Sequence, residues 1–73
     1  MNTQTLVEKI QTEMSYRERD ILTKQNNRVY LDYIHYNKLS YYLANKGVNI
    51  ANELWRGYRV YSVQTDSVIV EVT

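Results

Sequence analysis

Apolar residues recur at helical spacing over residues 3–24, where Leu6, Val7, Ile10, Met14, Ile21 and Leu22 fall mostly within one arc of roughly 100° on a helical wheel. That pattern predicts a helix packed on one side. Thr5 and Glu8 have the spacing of a capping box at its start, and Arg17 falls inside the apolar arc, where its stem can snorkel past a core. A regular coiled coil is disfavoured, because a heptad through Val7, Ile10, Met14 and Ile21 puts Arg17 and Lys24 on the seam. Two packings stay open. The stripe can be covered by a sheet of the same chain or by a second copy, and the expectation is a homodimer whose interface includes Ile10, Met14, Arg17 and Ile21.

A polar linker, Gln25-Asn26-Asn27, leads to the stretch Arg28–Gly47, which reads as a strand feeding directly into a capped helix. Val29, Tyr30 and Leu31 are strand formers, Asp32 is a good N-cap, and Gly47 suits the left-handed position after a helix. Between them, Tyr33 to Lys46 forms the second helix. Tyr36, Leu39, Ser40 and Leu43 share one face of it, the expected core face, while Ile34, Lys38, Tyr41 and Asn45 share the other. An exposed Ile34 and Tyr41, two turns apart, are a candidate contact stripe for a partner or two isolated surface residues.

An irregular connection, Val48–Glu53, precedes Trp55-Arg56-Gly57, with a turn expected at Gly57. Tyr58–Val63 and Val68–Val72 alternate as strands, joined through Gln64-Thr65-Asp66-Ser67 as a hairpin loop, with Val68, Val70 and Val72 on the core side. The order is helix, strand, helix, strand, strand, an α+β fold. A strand, a crossover helix and a second strand in one sheet run parallel, and the last strand can fill the space between them, giving a three-stranded sheet of order 1-3-2. One face takes the second helix. The other presents Arg28, Tyr30, Arg59, Tyr61, Ile69 and Glu71, and is either covered by the first helix or open.

Length alters this picture, since 73 residues make a single domain, 1–73, whose core rarely supplies more than ~3–5 kcal/mol without a staple. The chain has no Cys and one His, which excludes disulfides and thiolate metal sites and leaves no metal or other cofactor to expect. Oligomerisation or a partner is then the expected source of added stability. With no apolar run of membrane-spanning length and no signal-peptide start, a cytoplasmic location is expected. The net charge of +1 argues against a strongly basic nucleic-acid binder and against an acidic mimic. Phe is absent beside eight Tyr, so nearly every aromatic ring carries a hydroxyl that wants a polar partner.

No converging catalytic set is visible. His35 lies three residues after Asp32, a spacing that suits a structural contact at a helix start or a mild pH sensor. Arg28, Tyr30, Arg59 and Tyr61 are the sharper constellation, because rings alternating with guanidinium groups on a sheet serve base stacking and phosphate neutralisation. The same residues also serve as an amphipathic protein interface, which the near-zero charge favours. Trp55 and Arg56 are residue types that dominate interface hot spots. As the only Trp in a chain without Phe, Trp55 equally suits a lid over the core.

In general character the chain resembles the short, Cys-free, Asn- and Tyr-rich proteins that bacteriophages encode, including host-takeover and anti-defence proteins. Within Asn37–Val63, Leu54-Trp55-Arg56-Gly57-Tyr58-Arg59-Val60 resembles the "LxGYxV" pattern of phage structural proteins, with Arg56 as an insertion that departs from it. The resemblance implies a non-enzymatic protein that binds a host protein or assembles into a particle. The leading expectation is a small non-enzymatic protein-binding module, a phage-encoded inhibitor or modulator that occupies a surface of a larger host protein. A single-stranded nucleic-acid binder and a structural subunit of a viral particle are the alternatives.

Overall fold

A computed structural model describes residues 2–19 and 26–73. The elements run α1 (Thr3–Glu18), β1 (Arg28–Leu31), α2 (Tyr33–Ala44), β2 (Arg59–Ser62) and β3 (Ile69–Glu71). Two helices and a three-stranded mixed sheet make an α+β fold, as the pattern of apolar positions implies. Among the described residues, no helix is long and apolar enough to cross a membrane.

The first helix begins earlier than the Thr5–Glu8 spacing implies. Asn2 is its cap, and the Asn2 side chain accepts from the Thr5 amide at 2.8 Å. A side-chain amide just ahead of the helix satisfies the free N–H groups of the first turn, so no hydroxyl at position 5 is needed. The second helix is bounded as its sequence dictates. Asp32 Oδ1 accepts from the His35 amide at 2.8 Å, and at the other end Gly47, at φ +85°, lets Val48 N–H reach Leu43 O at 2.9 Å and Gly47 N–H reach Ala44 O at 3.1 Å. Those two bonds are the Schellman pair that ends a helix.

In the sheet, β1 lies between its neighbours, parallel to β2 and antiparallel to β3, giving the order β2-β1-β3. An order of 1-3-2 would place β3 between the other two. The difference lies in residues 63–68, which hold no Gly and no Asn-Gly or Asp-Gly pair for a tight hairpin. They instead arch past the end of β1, where Val63 N–H donates to Leu31 O at 2.8 Å. Six residues easily span two strand spacings of about 4.8 Å.

One core cluster holds Leu6, Val7, Ile10 and Met14 of α1, Leu39 and Leu43 of α2, and the strand residues Val29, Leu31, Val60 and Val70, with Val72 just beyond. Both helices therefore lie on the same side of the sheet. The α1 stripe proposed as a dimer interface is a correction, since Ile10 and Met14 are fully buried within one chain by α2 and the sheet. Arg17 is exposed and pairs with Glu13 one turn earlier at 3.6 Å, and Ile21 lies outside the described residues.

Trp55 also belongs to the core, at 6% exposure, so in this chain it fills the interior rather than presenting an anchor. It closes a two-residue turn with Tyr58, each residue's N–H donating to the other's carbonyl at 2.8 Å. Arg56 and Gly57 both have positive φ, +54° and +85°. A left-handed conformation costs an ordinary L-residue about 1–2 kcal/mol, and Asn tolerates it far better. Arg56→Asn is expected to stabilise the domain by about 1 kcal/mol, raising the thermal midpoint by about 4–8 °C. An unchanged midpoint would show that the guanidinium offsets the backbone cost.

Candidate functional site

With both helices on one side, strand alternation turns every second residue to the opposite, uncovered face. The register arranges these residues in two rows across the strands. Ile69, Tyr30 and Tyr61 are Cα partners in one row, and Glu71, Arg28 and Arg59 are partners in the next. The first row is apolar and aromatic, the second charged. Tyr61 and Ile69 remain exposed, at 40% and 43%.

The Tyr30 and Tyr61 rings stack, with centroids 5.5 Å apart and planes 20° from parallel. In-register partners on adjacent parallel strands bring the rings together, and stacking adds about 0.5–1.5 kcal/mol beyond the area buried. The ring of Tyr61 away from Tyr30 has no further strand beside it, because β2 is an edge strand. Tyr30 Oη donates to Glu71 Oε1 at 3.5 Å, and the same oxygen lies 3.4 Å from Arg28 Nη1. The neighbouring Tyr30 hydroxyl is the main cause that holds the Arg28 guanidinium above its ordinary pKa. Arg59, half-buried in the same row, has no carboxylate within ion-pair distance among the described residues.

At the start of β1 and β2 the face ends in a hollow of about 220 Å³, lined by Asn27, Arg28, Leu54, Arg59 and Tyr61 among others. Asn27 Oδ1 is buried there without a hydrogen-bond partner. Leu54, 51% exposed, was not singled out in the sequence, where a lone Leu before a Trp carries no pattern to distinguish surface from core.

The remaining candidates sit elsewhere. Ile34 and Tyr41 are exposed on the outer face of α2, at 64% and 76%, as the wheel implies. Ile34 borders a shallow hollow of about 420 Å³ with Tyr33 and Val63, a grouping the linear sequence hides. Arg56 points to the α1 side, where it borders a groove with Ser15, Tyr16 and Arg19. Thus Arg28, Tyr30, Arg59 and Tyr61 form one surface, whereas Ile34, Tyr41, Trp55 and Arg56 do not converge.

His35 and Asp32 touch, with Nδ1 and Oδ2 2.6 Å apart. The His35 amide and ring together hold the Asp32 carboxyl below its ordinary value, the amide bond being the larger cause. The carboxylate's contribution to stability is therefore present above its unfolded pKa of 3.8 and lost as pH falls through the lower folded value. Asp32→Ala is expected to lower the thermal midpoint at pH 7 and to flatten its fall below pH 4; an equally steep acid limb in the variant would locate that loss in another carboxylate. Among the described residues there is no cluster of His, Cys, Asp and Glu able to hold a metal ion.

No family model matches the chain, and neither a curated protein nor a solved structure matches it significantly.

Proposed function

We propose that this is a non-catalytic protein-binding module that acts by occupying a surface of a larger protein, with the uncovered sheet face as its contact surface. The observation that carries this reading is the row of Ile69, Tyr30 and Tyr61, exposed at Ile69 and Tyr61 and half-buried at Tyr30, beside the charged Glu71, Arg28, Arg59 row. Tyr, Arg and large apolar side chains on a rigid strand scaffold supply area at low entropic cost and are the residue types on which binding energy concentrates. The resemblance to phage-encoded proteins makes a host protein the preferred partner.

A single-stranded nucleic acid is the second reading, favoured by the free ring face of Tyr61 beside Arg59. Glu71 weighs against it, because it places a negative charge in the row that would meet phosphates. The test is affinity capture from host lysate, with and without nuclease, comparing the wild type with Tyr61→Ala plus Ile69→Asp. The expected result is a defined protein retained after nuclease and lost with the double variant, which keeps the wild-type far-UV circular dichroism at the assay temperature although loss of the Tyr30–Tyr61 stack lowers its midpoint by several degrees. Capture that disappears with nuclease supports the nucleic-acid reading instead, and equal capture by the variant removes this face from either role.

A further inference from the structure

We infer that the hollow at the start of β1 and β2 is a subsite for a carboxylate, so that the partner presents an acidic side chain next to an apolar one. The inference rests on the protein-binding reading and names the chemistry that the partner brings to it. The hollow, about 220 Å³, has room for a side chain. Its charge decides which kind.

Arg28 and Arg59 stand side by side as Cα partners on adjacent strands. Glu71 lies 3.4 Å from Arg28 and so offsets one of the two guanidinium groups. Arg59 is left over, with no carboxylate partner among the described residues. The site is thus matched to one negative charge. A carboxylate supplies that charge and accepts two parallel bonds from a guanidinium fork. Arg59 is half-buried, which strengthens such a bond relative to one made in open water. A polyanionic strand would set its further phosphates against Glu71.

The walls beside the guanidinium are apolar. Leu54 and Tyr61, 51% and 40% exposed, both line the hollow, and they can take the aliphatic neighbour of an acidic residue in an extended segment. Neither Arg59 nor Leu54 belongs to the buried core cluster.

The test is a titration of the intact chain followed by its backbone amide NMR spectrum, with acetyl-Leu-Glu-Leu-amide as probe. The Gln counterpart, inorganic phosphate and oligothymidylate are the comparison arms. The expected result is that the Glu peptide shifts the amides of Leu54, Arg59 and Tyr61, and binds about tenfold tighter than the Gln peptide. Arg59→Gln is expected to erase that difference with an unchanged thermal midpoint, and Arg59→Lys to restore part of it. Equal binding of the Glu and Gln peptides, or no saturable shift with either, would overturn the subsite. Tighter binding of phosphate or oligothymidylate at the same amides would overturn it in favour of a phosphate site. A captured partner that is lost with Tyr61→Ala plus Ile69→Asp but retained by Arg59→Gln would overturn the subsite and leave the docking face standing.

Discussion

Ile10→Asp is expected to leave the chain unfolded at 25 °C. Ile10 is fully buried among α1, α2 and the sheet, so the substitution removes a packed side chain and puts a carboxylate where the core offers no partner. Losing the packing alone costs about 2–5 kcal/mol, and an unpaired buried charge adds to it. A core of this size supplies about 3–5 kcal/mol in total. The check is far-UV circular dichroism of the variant together with the wild-type melt at several protein concentrations. The wild-type midpoint is expected not to move with concentration, because one chain buries the stripe by itself. A midpoint that rises with concentration would return Ile10 and Met14 to an interface between chains.

Trp55→Ala is the second large effect, and it is expected to appear as lost stability. The indole is 6% exposed and belongs to the same cluster as Tyr58 and Ile50. Truncating an aromatic ring at such a site costs about 3–5 kcal/mol. The neighbouring Tyr58 adds a polar constraint, since its hydroxyl donates to Glu18 at 2.7 Å and ties the turn to the end of α1. Burial is the larger cause that raises the Tyr58 pKa, with Glu18 adding to it, so the phenol stays protonated and keeps donating. Denaturant melts of Trp55→Ala are expected to show a midpoint near zero denaturant. A stable variant with weakened partner binding would reassign Trp55 to the contact surface.

The elements were legible because each carries more than one local signal. Asp32, the Val29–Leu31 run and Gly47 agree on where the second helix begins and ends, and Leu39 with Leu43 mark its core side. The neighbours within the sheet were not, because the choice turns on how residues 63–68 cross the end of β1. A polar six-residue stretch reads the same whether it forms a hairpin loop or an arch. For the same reason the open face could be enumerated from strand alternation, while its exposure could not. That depends on both helices choosing one side, a consequence of packing between α1 and α2. Leu6, Val7, Ile10 and Met14 do announce a buried stripe, but periodicity is silent on whether the covering surface comes from the same chain. The case of Trp55 is similar. Composition favours a surface anchor and a core lid alike, and only the folded chain shows the ring buried, at a turn that the bridge to Tyr58 closes.

The central place of β1 also sets an order of events. Its partners, Arg59 to Ser62 and Ile69 to Glu71, lie far along the chain, so neither side of the strand can be satisfied by nearby residues. Such pairings close slowly, because the entropy of a long loop is lost before any contact repays it. Both helices can form early; the sheet waits. During synthesis Val29, Tyr30 and Leu31 are a short β-prone run with two open edges, flanked by Arg28 and Asp32, charges of the kind that keep such a run from pairing with another copy before its own partners arrive.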